Sequence, residues 1–225
     1  EHSMTSITPT ATSVTDLSVR RSASGTATVA ETAPTVDPTL PVDGCWTALI
    51  TPFRDGALDE PALRRLVEAQ IAGGVRGLVP CGTTGEAATM TADEAERVVA
   101  VVAEAAAGRA PVLAGVGGND TRTTIGRARR ARALGADGLL VVTPYYNRPT
   151  RDGLAAHFLA VAEAADLPVV LYNVPGRTGV NLAPETALRL AAHPRIVGIK
   201  EASGSLDQTS EIVAGAPAGF AVLSG

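Results

Sequence analysis

The basic residues of this sequence are divided very unevenly, with one lysine, Lys200, against eighteen arginines. Arginine stays protonated in proteins, whereas a desolvated lysine amine loses its proton more easily and can then attack a ketone to form an imine. Lys200 ends an apolar run that begins at Ile196, and strand alternation puts Lys200 and Glu201 on opposite sides. A solvent-facing lysine, or one paired with a carboxylate, is the structural alternative. The sequence therefore indicates Lys200 as a candidate covalent catalyst.

Three loops carry further polar groups that could take part in chemistry. Thr83 and Thr84 lie in a glycine-rich turn whose hydroxyls and backbone N–H groups could hold an anion. In another loop, Tyr172 could relay a proton, and Arg177 offers a planar fork that suits a carboxylate. Tyr146 lies in a third loop, between a tyrosine and an asparagine. A structural turn, a buried tyrosine, a surface arginine and loop packing would explain the same residues without chemistry.

Several other kinds of site are not indicated. The three histidines, His2, His157 and His193, are scattered at no metal-binding spacing, and we expect His157 to pack inside a helix layer. No G-x-S-x-G nucleophile elbow occurs, and the glycine-rich turn lacks a P-loop lysine. The net charge of −4 gives no electrostatic footprint for nucleic acid. We therefore expect no metal ion and no nucleic-acid partner.

The expected cellular setting follows from composition. Apolar runs are too short to cross a bilayer, so we expect a protein without membrane contact. Cys45 and Cys81 are the only cysteines and lie in apolar surroundings, which predicts buried free thiols in a reducing compartment. Residues 1–40 are rich in Ser, Thr, Ala and Pro without hydrophobic periodicity, and we expect a disordered tail there. Because this segment has no apolar stretch of a secretory signal, a cytoplasmic location is expected.

Beyond the tail, at 41–225, short apolar runs alternate with amphipathic stretches, which is typical of a parallel sheet covered by helices. Helix-boundary patterns agree, with a capping box at Thr91 and Glu94 and a first-turn proline at Pro184. Seven strands are predicted, at Cys45–Ile50, Gly77–Cys81, Pro111–Val116, Gly138–Val142, Pro168–Tyr172, Ile196–Lys200 and Phe220–Ser224.

The positions of the polar groups favour a (β/α)8 TIM barrel over a doubly wound sheet. Polar groups follow six of the seven strands, as expected when a closed barrel directs all its βα loops to one mouth. A doubly wound sheet would concentrate such groups at one switch point. The seventh predicted strand ends at Ser224, and the sequence stops at Gly225. We therefore expect a TIM barrel that is truncated after its seventh strand, in a fragment of a longer protein.

The motifs together resemble the dihydrodipicolinate synthase family of pyruvate-dependent class I aldolases. The matching stretches are GTTGE (82–86), VTPYYNRP (142–149), YNVPGRTG (172–179), GIKEASG (198–204) and the terminal LSG. The resemblance implies a lyase that joins pyruvate to L-aspartate 4-semialdehyde through a Schiff base, without a cofactor, in the synthesis of diaminopimelate and lysine. A dimer or tetramer is also implied.

The resemblance also assigns roles to residues. Lys200 forms the Schiff base with pyruvate, Tyr172 and Thr83 relay protons, and Tyr146 completes the relay from a neighbouring subunit. The substrate-binding residues that it implies are Thr84 for the pyruvate carboxylate, Arg177 for the semialdehyde carboxylate, and the backbone at Gly225. Lysine-inhibited members differ from this sequence at two positions of their regulatory site, so weak lysine feedback is expected.

Two alternatives stay open on the sequence. One is another aldolase or dehydratase of the same superfamily, of the N-acetylneuraminate lyase or 2-keto-3-deoxy-sugar-acid aldolase type. The other is a barrel remnant without catalytic activity. Arg177 favours a short aldehyde that carries a carboxylate over a long polyol.

Overall fold

The computed structural model describes residues 40–225, and the predicted tail, except for Leu40, lies outside the described residues. Alternating strands and helices run through this part of the chain. The strands are β1 (Trp46–Ala48), β2 (Phe53–Arg54), β3 (Ala57–Leu58), β4 (Gly77–Val79), β5 (Leu113–Gly115), β6 (Gly138–Val142), β7 (Val169–Asn173), β8 (Ile196–Glu201) and β9 (Ala221–Ser224). The helices are α1 (Glu60–Ala72), α2 (Ala92–Ala106), α3 (Thr121–Ala133), α4 (Arg151–Ala165), α5 (Pro175–Thr178), α6 (Pro184–Ala191) and α7 (Leu206–Gly215).

All seven strands predicted from apolar runs are present, and they pair in parallel. β1 pairs with β4, an isolated parallel bridge between Leu78 and Val112 leads to β5, and β5 to β9 follow one another in chain order. The seven strands thus follow the sequential order of a TIM barrel, with helices between them. The predicted TIM-barrel fold is confirmed.

Side-chain alternation along these strands creates two apolar layers. One cluster of buried residues lies between the strands and the helices and contains Leu139, Leu171 and Ile199. A second, smaller cluster on the other face of the same strands contains Leu140 and Tyr172. The second layer is the barrel interior, so a polar side chain that reaches it is surrounded by apolar walls.

Local sequence signals account for the helix boundaries. Thr91 and Glu94 form the predicted capping box at the start of α2, and Pro184 lies in the first turn of α6. On the outer surface, arginines of one helix pair with glutamates of the next, such as Arg97 with Glu60 at 2.6 Å. Within residues 40–225, no helix is long and apolar enough to span a membrane.

A small hairpin follows β1 and was not predicted. β2 and β3 pair in antiparallel fashion around Asp55 and Gly56, which both adopt positive φ angles, of 52° and 78°. Two such residues form the tight turn whose twist matches a β-hairpin, and Asp-Gly is a favoured sequence for it.

One predicted environment was wrong. Cys81 is buried, but Cys45 is exposed, because β1 begins only at Trp46 and leaves Cys45 in the segment that enters the barrel. The observed strand β1 is also shorter than the predicted strand Cys45–Ile50, since Ile50 lies beyond its end and is 55% exposed.

Candidate active site

Lys200 lies near the carboxyl end of β8 and faces the barrel interior. In the ladder with β7, Val169 lies opposite Ile196 but Val170 lies opposite Gly198, so Val197 is an extra residue. This β-bulge shifts the alternation of β8 by one position. Ile196 and Ile199 therefore both pack in the layer beneath the helices, and Lys200 points to the other face.

Tyr172 is the direct neighbour of Lys200 on the inner face. The two residues are register partners on β7 and β8, and the Nζ atom of Lys200 lies 4.7 Å from the centroid of the Tyr172 ring. The tyrosine is only 7% exposed. The Lys200 amine therefore lies against an aromatic ring in the apolar interior layer of the barrel. The predicted interior position of Lys200 is thus present in the structure.

A cavity of about 620 Å³ opens beside Lys200, on the side of β1 and β9. Its walls include the apolar side chains of Val79, Leu140 and Leu223. Gly225 approaches Lys200 so closely that a Cβ atom at this position would collide with Cε of the lysine. The backbone at Gly225 is held there by a hydrogen bond of 3.1 Å from its N–H to the carbonyl oxygen of Glu201.

Thr83 reaches Tyr172 from the turn after β4. The hydroxyl oxygens of the two residues are 3.3 Å apart, which is hydrogen-bonding distance. The turn is anchored to the segment that follows β1, because the Thr51 hydroxyl donates to the carbonyl oxygen of Gly85 at 2.7 Å. Thr84 follows Thr83 in the same turn and is exposed. The structure therefore connects Lys200, Tyr172 and Thr83 through successive contacts, although the turn with Thr83 is 89 residues from Tyr172 in sequence.

A second cavity, of about 940 Å³, lies on the other side of Tyr172 and is also lined by Leu140. Arg177, in α5, contributes to its wall and forms no ion pair with any residue of the described range. An exposed guanidinium with free donors at a cavity wall can bind a carboxylate.

Tyr146 borders the same cavity but is not part of the Tyr172–Thr83 pair. It is 88% exposed and has a φ angle of 66°, so the loop after β6 holds a large aromatic ring out in solvent. Its backbone N–H donates to the carbonyl oxygen of Thr178 at 3.4 Å, which ties this loop to α5. Within the described residues of this chain, the Tyr146 hydroxyl forms no hydrogen bond with Tyr172.

The remaining nucleophilic and titratable candidates are structural. Burial raises the pKa of the Cys81 thiol to about 12, which excludes a thiolate nucleophile near neutral pH. His157 is 5% exposed, its Nδ1 lies 2.9 Å from the Thr121 hydroxyl, and burial lowers its pKa. It packs between α3 and α4 in edge-to-face contact with Phe158, as expected.

A buried polar cluster behind the site was missed by the sequence analysis. Asn173 and Glu201 follow Tyr172 and Lys200 on the same strands and lie on the opposite face, where Asn173 donates to Glu201. A polar residue directly after each candidate catalytic residue was the available signal. These residues were counted only among the polar groups that follow the strands, because their contact depends on how β7 pairs with β8.

The fold and this site together define a TIM-barrel protein whose interior is built around a single lysine at a strand end. Comparison with known families gives the assignment. Residues 41–225 match the model of the Dihydrodipicolinate synthetase family. The chain belongs to this family, as its motifs predicted.

Individual relatives support the same assignment. The chain is 57% identical over 170 residues to the 4-hydroxy-tetrahydrodipicolinate synthase of Pelobacter propionicus, which covers 76% of this chain and 59% of the relative. It is 52% identical over 183 residues to the corresponding synthase of Maridesulfovibrio salexigens, over 81% of this chain and 63% of the relative.

Solved structures also resemble this one. The dihydrodipicolinate synthase of Acinetobacter baumannii, determined in complex with pyruvate, has a TM-score of 0.80 and 45% identity. The match covers 82% of this chain and 64% of that protein. The enzyme of Aquifex aeolicus has a TM-score of 0.79 and 44% identity, over 81% of this chain and 62% of that one. The chain thus spans about three fifths of the length of these relatives.

Proposed function

We propose that this chain carries the catalytic lysine of a 4-hydroxy-tetrahydrodipicolinate synthase, a lyase that condenses pyruvate with L-aspartate 4-semialdehyde. The observation that carries the proposal is the position of Lys200, whose Nζ lies 4.7 Å from the ring centroid of Tyr172 inside the barrel. Family membership and the synthase relatives support the same reaction. The alternative aldolases of the superfamily are not favoured, since these relatives are synthases.

The proposed chemistry begins with an imine. The neutral amine of Lys200 adds to the keto carbon of pyruvate, and loss of water leaves a protonated imine that withdraws electrons from the neighbouring methyl group. Removal of a methyl proton gives an enamine, whose carbon forms a bond to the aldehyde carbon of the semialdehyde. The amino group of the semialdehyde then attacks the imine carbon, closes the ring and releases the Lys200 amine. No further cofactor is needed, because the imine itself accepts the electron pair.

Proton transfers are assigned to Tyr172 and Thr83. Their hydroxyl oxygens are 3.3 Å apart, and Tyr172 lies beside the Lys200 amine, so the pair can carry protons between the amine and the cavity. We assign the pyruvate carboxylate to the turn at Thr84 and to the backbone near Gly225, which lies against Lys200. The carboxylate of the semialdehyde is assigned to Arg177, whose guanidinium is free at the wall of the second cavity.

The proposal includes a second copy of the chain. Tyr146 is 88% exposed, so it is available to enter the site of a neighbouring subunit and to complete the relay with Tyr172 there. We therefore assign a dimer or tetramer as the active assembly, in which each site receives Tyr146 from its partner.

The test of this function is imine trapping. The full chain is incubated with pyruvate, reduced with borohydride, and examined by intact mass and peptide mapping. We expect one reduced pyruvate adduct at Lys200. The Lys200→Arg protein should give none, because a guanidinium cannot lose its proton to attack the ketone. The absence of an adduct, or an adduct only at the α-amino group, would contradict the proposal.

The aldehyde partner is tested separately. Turnover of pyruvate with L-aspartate 4-semialdehyde is compared with turnover of pyruvate with N-acetylmannosamine or a short sugar aldehyde. Preference for the semialdehyde supports the synthase, and preference for either sugar would instead identify a different aldolase of the superfamily.

A further inference from the structure

Behind the two strands that carry Lys200 and Tyr172 lies a buried pair of polar side chains. The β7–β8 ladder places Tyr172 opposite Lys200 and, one step further, Asn173 opposite Glu201. Asn173 is fully buried and Glu201 is 4% exposed. Because neighbouring residues of a strand point to opposite faces, the Asn173–Glu201 contact and the Tyr172–Lys200 contact are formed by the same register of the two strands.

Glu201 accepts hydrogen bonds and has no cation beside it. Its Oε1 accepts from the backbone N–H of Ser203 at 2.6 Å, and its Oε2 accepts from Asn173 Nδ2 and from Gln208 Nε2, each at 3.0 Å. Among the described residues, no arginine, lysine or histidine pairs with this carboxylate. A buried carboxylate that is satisfied only by N–H donors is costly to desolvate, so its presence calls for a role.

A hydrogen bond from the backbone of Leu182 determines how the side-chain amides of Asn173, Asn181 and Gln208 are oriented. The backbone N–H of Leu182 donates to Asn173 Oδ1 at 2.9 Å, so the Nδ2 of Asn173 must point the other way, towards Glu201 and towards Asn181 Oδ1 at 2.8 Å. Asn181 Nδ2 in turn donates to Gln208 Oε1 at 2.9 Å, which leaves Gln208 Nε2 to donate to Glu201. Position 201 therefore receives N–H groups at both of its oxygens. An amide there would bring an N–H against other N–H groups.

We propose that Glu201 is a positioning residue, which holds the Lys200 amine and the Tyr172 hydroxyl in register for imine formation by fixing β7, β8 and α7 from behind. This assignment rests on the proposed function, because it concerns the reaction of Lys200. The physical reason is direct. Lys200 and Glu201 are adjacent in the chain. If an amide replaces Glu201, the backbone must shift to separate the facing N–H groups, and this shift moves the Cα of Lys200 relative to Tyr172. Displacements of about 1 Å can reduce the rate of an enzyme reaction by about 100-fold.

The same cluster also fixes the segment that presents Arg177. The Asn173 side chain bonds to the backbone of Leu182 and to the side chain of Asn181, and these contacts close the chain between residues 173 and 182 into a loop. Arg177 lies at the middle of this loop. One polar cluster therefore supports both the lysine and the arginine, which the proposed function assigns to two different substrates.

The experiment compares trapping rates in four proteins: the unchanged full chain, Glu201→Gln, the exchange Glu201→Gln/Gln208→Glu, and Ile212→Val. The exchange keeps one carboxylate and one amide in the cluster and restores a donor–acceptor pair between positions 201 and 208. Ile212 is fully buried in α7 and packs in the apolar core beneath the helices, so Ile212→Val controls for a general loss of stability. Folding of each protein is checked by circular dichroism, and the pyruvate adduct is quantified over time at saturating pyruvate.

We expect Glu201→Gln to slow trapping by about 10- to 100-fold at an unchanged folded fraction. The exchange should recover at least part of that loss, and Ile212→Val should trap at the rate of the unchanged chain. Equal rates in Glu201→Gln and the unchanged chain would overturn the positioning role, as would a loss that matches the unfolded fraction. If the unchanged chain forms no adduct, the proposed function fails first and the positioning role with it. If the unchanged chain and Ile212→Val form the adduct at the same rate and Glu201→Gln is slower, the function stands and the positioning role is supported.

Discussion

At the scale of single residues, the site depends on where one amine is held. Lys200 is the only lysine of the chain and faces the barrel interior next to Tyr172, while charge on the outer surface is carried by arginines paired with glutamates. Surface ion pairs of this kind contribute little to stability, because water and salt screen them. The proposed chemistry and the surface charge thus belong to different side chains, since of the two basic residue types only lysine can lose its proton and act as a nucleophile.

Arg177 is predicted to act on the aldehyde and not on pyruvate. Arg177→Ala should raise the KM for L-aspartate 4-semialdehyde by about 10- to 100-fold, because a charge-assisted hydrogen bond to a carboxylate contributes about 1.5–3 kcal/mol. Trapping of pyruvate should continue at its original rate, since Lys200, Tyr172 and Thr83 keep their contacts. Steady-state kinetics and borohydride trapping measure the two effects.

The control for this prediction is Arg148→Ala, which removes another exposed arginine from the wall of the same cavity. A similar rise in KM for both variants would mean that general positive charge attracts the aldehyde. Loss of pyruvate trapping in Arg177→Ala would contradict the assigned role altogether.

At the scale of elements, an irregularity in one strand decides which way the lysine points. From Ile196, which packs beneath the helices, regular alternation would send residues 198 and 200 to the same side as Ile196. The bulge at Val197 shifts the alternation, so Lys200 lies inside and Glu201 outside. A one-residue shift in a strand reverses every side chain beyond it, which is why this small feature controls the site.

The turn that carries Thr83 leads into α2, whose start is closed by a capping box. The Thr91 hydroxyl accepts from the Glu94 N–H, and the Glu94 carboxylate accepts from the Thr91 N–H at 2.8 Å. We expect Thr91→Ala to destabilise the fold by about 1 kcal/mol. In a protein of this size that corresponds to a decrease in Tm of about 2–4 °C, measured by thermal circular dichroism.

Thr91→Ser keeps the capping hydroxyl and is the matched control for this cap. Its Tm should stay within about 1 °C of the original value, because serine caps helices as well as threonine does. Equal losses in the two variants would mean that the threonine methyl group, and not the cap, stabilises the helix.

At the scale of the whole molecule, the exposed Tyr146 makes the assembly itself testable. In the proposed assembly, Lys200→Arg removes the amine from its own site, and Tyr146→Phe removes the hydroxyl that the partner's site would receive. When the two variants are co-expressed, each mixed pair has one site with both groups intact. Random pairing should therefore restore about a quarter of the original activity, although each variant alone is nearly inactive.

The measurement is turnover of the co-expressed variants, with native mass spectrometry to confirm that mixed assemblies are present. Activity no higher than the average of the two separate variants would contradict the sharing of Tyr146 between subunits. A Tyr146→Phe protein that is fully active by itself would remove Tyr146 from the reaction.

The buried His157 predicts how the stability of the molecule depends on pH. Burial lowers its pKa in the folded chain, whereas the unfolded chain has the ordinary value of about 6.5. The stabilisation is therefore complete above pH 6.5 and is lost as the pH falls below it, because the unfolded state then binds a proton that the folded state does not. The free energy of unfolding should decrease between about pH 7 and pH 5.

Comparison with two variants isolates this contribution. His157→Gln should flatten the pH dependence in that interval, as measured by urea unfolding at several pH values. His193→Gln removes the other imidazole of the described residues and measures what the loss of an imidazole elsewhere in the fold does to the slope. A slope that persists in His157→Gln would assign the effect to carboxylates instead.

The sequence alone determined the strands, the barrel, the family and Lys200 as the candidate catalyst, because each depends on local patterns. Apolar runs mark strands by burial, a capping box marks a helix start within four residues, and a lone lysine is visible by count. The Asp55-Gly56 turn belongs to the same class of signal and was readable as well, although it was not used.

Only the tertiary structure decided what depends on pairing between distant segments. Whether Lys200 points inward depends on a bulge that exists only in the ladder with β7, and the Tyr172–Thr83 contact joins residues 89 positions apart. The cluster around Glu201 joins two strands, a loop and a helix, so its hydrogen bonds cannot be derived from the sequence even though its strand-end polar residues are visible there. Contacts of this kind are set by register and by barrel curvature, which emerge only when all the strands pair.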